Sequence, residues 1–161
     1  MRYLKPKPTP IIINDKLYHV LYTLDVIDQI QSETKMPITE ILEWATNNST
    51  METAILCLLK FLLPGVDVKI DNLNYLATIL ITAFIEQAKS KEIQGYNPPP
   101  PSGKIEFVDI ENWVYIGKVV LGYPESEVWG MTLGKIRTLN REHLKYNGAI
   151  KEEQEVSLLS I

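Results

Sequence analysis

The residues of this chain that could do chemistry are few and scattered. They comprise two histidines, His19 and His143, one cysteine, Cys57, and some neighbouring acid pairs. Neither histidine has a cysteine or carboxylate at metal-ligand spacing, so both read as surface or packing residues, with His19 also open to a partner contact from an exposed strand face. Cys57 lies in an apolar run, where a thiol is poorly ionised and therefore a weak nucleophile. The pairs Asp25/Asp28 and Glu125/Glu127 have the chemistry of a general acid and base. Their positions fit better with helix starts, where the backbone dipole favours negative charge. Gly117, Gly122, Gly130 and Gly134 form no phosphate-cradling loop and read as helix stops or close-packing sites. A non-enzymatic chain with no metal and no cofactor is the expectation.

Charge and composition narrow the partners. The formal net charge of −4 is spread evenly, with nine basic against eleven acidic residues up to Gln94 and seven against nine beyond it. Neither half is a polycation, which argues against a nucleic-acid partner held through phosphates. A single cysteine excludes an intrachain disulfide and a cysteine-based zinc site, and fits a reducing cytoplasm. Met1 to Pro10 lack the apolar core of a secretory signal. Leu56 to Leu63, the most apolar run, is interrupted by Lys60 and falls far short of the roughly 20 residues of a membrane span. No membrane role is expected.

The elements that must position these residues follow from periodicity. Ile11–Ile13 and Leu17–Tyr22 flank Asn14-Asp15-Lys16, the composition of a small hairpin. Leu24, Ile27 and Ile30 then recur at helical spacing until Thr34, and Pro37 blocks continuation. Ile38, Ile41, Leu42 and Ala45 mark a second helix. Ser49-Thr50-Met51-Glu52 fits a capping box opening a third, which Pro64-Gly65 ends. Asp71 is the expected cap of the longest helix, whose Leu73, Leu76, Ala77, Leu80, Phe84 and Ala88 repeat at three and four residues. Tyr75, Ile79, Ile81 and Ile85 widen that stripe beyond what a small bundle buries. Self-association through the helices Thr53–Leu63 and Leu73–Lys89, hence a homo-oligomer, is expected.

Pro98–Pro101 favour an extended, semi-rigid spacer of about 3.1 Å per residue. The reading is therefore mainly α: a hairpin and helical bundle over residues 1–92, a proline-rich linker over 93–103, and a short helical module over 104–161. In that module Lys104–Val108 alternates as a short strand would. Asp109 caps a helix carrying Ile110, Trp113, Val114, Gly117, Val120 and Leu121 on one stripe, and Gly122 stops it. Thr132 opens a last helix with Leu133, Ile136, Leu139 and Leu144 inward and Lys135, Arg137, Arg141 and Lys145 outward, closed by Asn147-Gly148 before a Glu-rich tail read as loose.

Between Asp109 and Tyr146, about a quarter of the chain, a helix closed by Leu121-Gly122 is followed by Pro124 with its acidic neighbours, Trp129 and Met131-Thr132 before a final helix. This pattern resembles the C-terminal segment of the tail assembly chaperones of long-tailed bacteriophages. The N-terminal hairpin followed by a helical bundle is similar to the first domain of that family. The resemblance implies a chaperone that coats the tape measure protein, with a C-terminal extension that recruits the tail tube subunit. It further implies a place in the host cytoplasm and absence from the mature virion. In many such phages the extended form arises by ribosomal slippage near the junction of the two pieces, which here lie in one chain.

Trp113, Tyr115, Trp129, Met131 and Leu133 are the candidate partner-binding residues, because aromatic and large apolar side chains supply most interface anchors. Core packing competes with that role at Trp113 and, more evenly, at Trp129. The competing function is a helix-turn-helix regulator in which Lys135, Arg137 and Arg141 face duplex DNA. Its weaknesses are an inter-helix segment longer than a three- or four-residue turn and no Asn or Gln near the second helix start to read bases.

Overall fold

The computed structural model describes residues 4–69, 71–90 and 106–148. The chain is mainly helical, with an N-terminal antiparallel hairpin followed by helices.

Strands β1 (Thr9–Ile13) and β2 (Lys16–Val20) pair in a register that sets Ile13 against Lys16 and Thr9 against Val20. Asn14 and Asp15 bridge them with φ of 54° and 61°, the doubly left-handed turn whose twist matches a two-residue hairpin and which Asn and Asp tolerate. Ile11, Ile13 and Val20 enter the core from one face of the sheet.

Helix α1 (Leu24–Thr34) opens where the Thr23 hydroxyl accepts the Val26 N–H at 3.2 Å, and it buries Leu24, Ile27 and Ile30 completely. Lys35 ends it in the left-handed region, and Pro37 precedes α2 (Ile38–Trp44). Helix α3 (Met51–Leu62) starts where the sequence indicates, but not by the expected capping box. The Thr50 hydroxyl instead donates to the Trp44 carbonyl at 2.8 Å, tying α3 back to α2. Gly65, at φ +82°, carries the turn beyond it. Helix α4 (Leu73–Ala88) buries Leu76, Ala77, Leu80 and Ala83; Asn72 rather than Asp71 stands at its cap, with no side-chain bond to the helix.

In the third described segment, Glu106–Val108 pairs with no strand, while residues 104 and 105 of the expected strand lie outside the described residues. Asp109 accepts the Asn112 N–H at 3.1 Å and opens α5 (Ile110–Tyr115), which runs on into a π-helical turn over Ile116–Val120 before Gly122 stops it at φ +77°. The short α6 (Glu125–Trp129) follows Pro124. Helix α7 (Leu133–Tyr146) is capped by Thr132, whose hydroxyl accepts the Lys135 N–H at 3.2 Å.

The expected 93–103 linker lies outside the described residues, and the segments on either side of it share one core. Ile110, Val128, Met131, Leu133 and Ile136 join the buried residues of the hairpin and α1–α4. Backbone ties reinforce the packing. The Leu24 N–H donates to the Met131 carbonyl at 2.9 Å beside a Thr23–Thr132 bridge. At Gly134 a β-carbon would collide with the Lys89 carbonyl oxygen and come within 2.7 Å of that of Gln87, so only glycine lets α7 lie against the end of α4.

Two buried glutamines fasten these layers. Gln87 accepts the Tyr22 N–H at 2.7 Å and donates to the Val20 carbonyl and the Thr9 hydroxyl, both at 3.0 Å, locking the hairpin to α4. Gln31 donates to the Val108 carbonyl at 3.0 Å and accepts the N–H groups of Val108 and Ile38 at 2.9 and 3.3 Å. One amide thus binds the entry to α5 and the start of α2 to α1.

Candidate protein-binding surface

Packing consumes one side of α5 and its π-helical continuation, where Ile110 is buried and Gly117 lies so close to Val128 that a β-carbon would come within 2.7 Å of its side chain. The π turn then rotates the residues beyond it. The Leu121 N–H bonds the Ile116 carbonyl five residues back at 2.9 Å, so the α-helical stripe slips and Val120, expected inward, is exposed. On the outward side Tyr115 and Val119 are 58% and 57% exposed, a large apolar surface beside the half-buried Trp129 of α6.

These residues line a groove of about 390 Å³ together with Glu111, Val114, Lys118 and Glu125. Its polar wall is organised by one carboxylate. Glu125 accepts the Trp129 indole N–H at 3.4 Å on one oxygen and pairs with the Lys118 ammonium at 3.1 Å on the other. The hydrogen bond from Lys118, that from Trp129 and the Lys118 charge together hold the Glu125 carboxyl below the usual carboxylate range, against a small opposing effect of desolvation. The indole N–H is thereby tied to the polar wall of the groove.

Of the five candidate residues, the structure brings Tyr115 and Trp129 into this groove. Trp113 lies elsewhere, half-buried, with the Arg137 guanidinium 5.8 Å from its ring centroid. Met131 and Leu133, expected at a contact surface, are buried at 3% and 2% exposure because α7 packs on α4 and the residues before it pair with the start of α1. Sequence reasoning missed Glu111, Val114, Lys118, Val119 and Glu125 as groove residues. An i, i+4 repeat of Glu111, Tyr115 and Val119, with Lys118 one position aside, was the signal available.

Arg137 also differs from expectation. It is half-buried rather than outward, its guanidinium donates to the Ala88 carbonyl at 3.1 Å, and burial followed by nearby Arg141 pulls its pKa down. Cys57 is part-buried. Its thiol is pushed up by burial, an effect opposed by Lys60 and reinforced by Glu33, so it is a poor nucleophile. Among the described residues no group of three or more His, Cys, Asp or Glu side chains could hold a metal ion, and no helix is long and apolar enough to cross a membrane. Comparison with protein-family models, with curated proteins and with solved structures finds no match to this chain.

Proposed function

We propose that this chain is a non-enzymatic assembly chaperone of long-tailed phage tails, which uses the α5–α6 groove to hold an apolar segment of another tail protein. The observation that supports the reading is the groove itself. Tyr115, Val119 and Trp129 offer aromatic and aliphatic surface to solvent, and the Lys118–Glu125 pair gives the rim a polar register. Such a combination suits an amphipathic helix, the form in which a long helix-rich tape measure protein presents its apolar face before the tail tube encloses it. The tape measure protein is the proposed occupant, and the tail tube subunit is the proposed second partner. Self-association belongs to the same reading. The commitment of Arg137 to Ala88 and Trp113 leaves less of α7 for phosphate contacts and disfavours the DNA-binding alternative.

Co-expression of this chain with tape measure and tail tube proteins tests the reading. Native chain should keep the tape measure protein soluble, and Trp129→Ala should weaken the complex by about 2 kcal/mol, as truncation of an interface anchor does. Tight, salt-sensitive binding to duplex DNA with no effect on either tail protein would overturn it.

A further inference from the structure

The hairpin is an incomplete sheet. A two-residue turn makes Ile13 and Lys16 a hydrogen-bonded pair, so Ile12, Leu17 and His19 direct their backbone groups away from the ladder. On β1 that edge is covered: α4 packs against it and the Ile12 N–H donates to the Tyr75 hydroxyl at 3.1 Å. On β2 it is open. No hydrogen bond among the described residues reaches the N–H or C=O groups of Leu17 or His19; the tie from α4 to β2, through Gln87, is to the Val20 carbonyl at the end of the strand. The outer face beside this edge is apolar, with Ile12 and its cross-strand partner Leu17 exposed at 54% and 61%. Unpaired edge groups next to exposed aliphatics are what an added strand covers.

We propose that the occupant is β2 of a second copy, added antiparallel about a two-fold axis through Leu17 to make a four-stranded sheet. That register continues the observed Ile12–Leu17 pair into an unbroken row: Ile12, Leu17, then Leu17 and Ile12 of the second copy. It also brings His19 of each copy to the Asn14-Asp15 turn of the other, an imidazole near a carboxylate at each end of the new pairing, and both groups are exposed in one copy alone. Centring the axis on Tyr18 would set Leu17 against an imidazole and break the row. A two-fold edge contact closes after two copies and leaves the α5–α6 groove, on other elements, outside the new sheet. The inference sharpens the self-association proposed above by placing it on β2 rather than on the apolar helices, and its test is separate from that of the tail-protein partners.

Sedimentation of the full chain should show a monomer–dimer equilibrium at micromolar concentration. Leu17→Lys alters a surface position and sets two charges face to face; it should raise the dimer dissociation constant about tenfold or more while leaving the circular dichroism melt unchanged at concentrations low enough that both chains are monomeric. In a Cys57→Ala background, Leu17→Cys should cross-link under mild oxidation, since directly opposed hydrogen-bonded residues hold their Cα atoms about 5.5 Å apart. His19→Cys should not, because its counterpart lies about 13 Å away along the strand. A native chain that stays monomeric, a dimer untouched by Leu17→Lys, or faster cross-linking at position 19 than at 17 would overturn the proposal.

Discussion

Replacing Gln31 by leucine tests whether a single amide holds the α5 segment to the rest of the chain. Gln31 is only 6% exposed, and its side chain serves three backbone groups: the Val108 carbonyl, the Val108 N–H and the Ile38 N–H. Leucine fills similar space and orphans all three. Val108 is half-buried, so water recovers part of its loss and each of its two groups costs about 1 kcal/mol. Ile38 is fully buried, and its stranded N–H carries a larger penalty of about 2 kcal/mol. Burial of the new side chain offsets about 1 kcal/mol, leaving a net loss of about 3 kcal/mol. Urea denaturation followed by circular dichroism should show that loss with an unchanged m-value. Amide exchange at Val108 and Ile38 should accelerate beyond what global destabilisation accounts for, because those two N–H groups are the donors removed from protection. A loss below about 1 kcal/mol with both amides still protected would refute the clamp.

Gly134→Ala should cost about 2–3 kcal/mol, read by the same denaturation, because the new β-carbon meets backbone carbonyls of Gln87 and Lys89 that cannot rotate aside; a neutral result would mean that α7 does not rest on the end of α4. At Glu125 the folded carboxyl lies below its ordinary range. Its clamp on Lys118 and Trp129 should therefore be intact above that range and be lost only as pH falls through the depressed folded value. The Trp129 indole N–H resonance should report this acid transition, and Glu125→Gln should abolish it.

The stripe of α1, the β-hairpin and the caps at Asp109 and Thr132 were legible because each is a local matter: period, turn composition, or a hydroxyl or carboxylate three residues before its N–H partner. The two glutamines were not, because most of the groups they serve are remote in sequence: Gln31 bonds Val108 across 77 residues, beside the nearer Ile38, and Gln87 bonds Tyr22 across 65. A trace of them was present all the same. Gln31 continues Leu24 and Ile27 at three- and four-residue spacing, and Gln87 continues Leu80 and Ala83, so each is a polar residue on a buried stripe. Such a residue must find partners, and counting it as an interruption of the apolar pattern hides that obligation. Arg137 was misread for the complementary reason. A basic residue on an amphipathic helix reads as solvated, yet its long stem lets the guanidinium reach a helix-end carbonyl and an aromatic face on other elements.

The same logic explains why Tyr115 and Trp129 meet while Met131 and Leu133 do not join them. In the sequence Trp129, Met131 and Leu133 are equal candidates for a partner contact, each being aromatic or large and apolar. The backbone tie from Leu24 to Met131 and the closeness of α7 to α4 turn the residues after Trp129 inward. Tyr115 reaches Trp129 from fourteen residues upstream because Gly117 lets Val128 approach the π turn, which brings α6 alongside α5. That approach sets the Lys118–Glu125 distance and with it the orientation of the indole. The geometry of the groove is therefore fixed by residues that do not line it. Gly117→Ala should push α6 away and loosen the Glu125 clamp without altering any atom that a bound partner would touch. The Trp129 indole N–H resonance should then move toward its solvent-exposed position at neutral pH, and an unshifted resonance would show that the close approach at Gly117 does not set the groove.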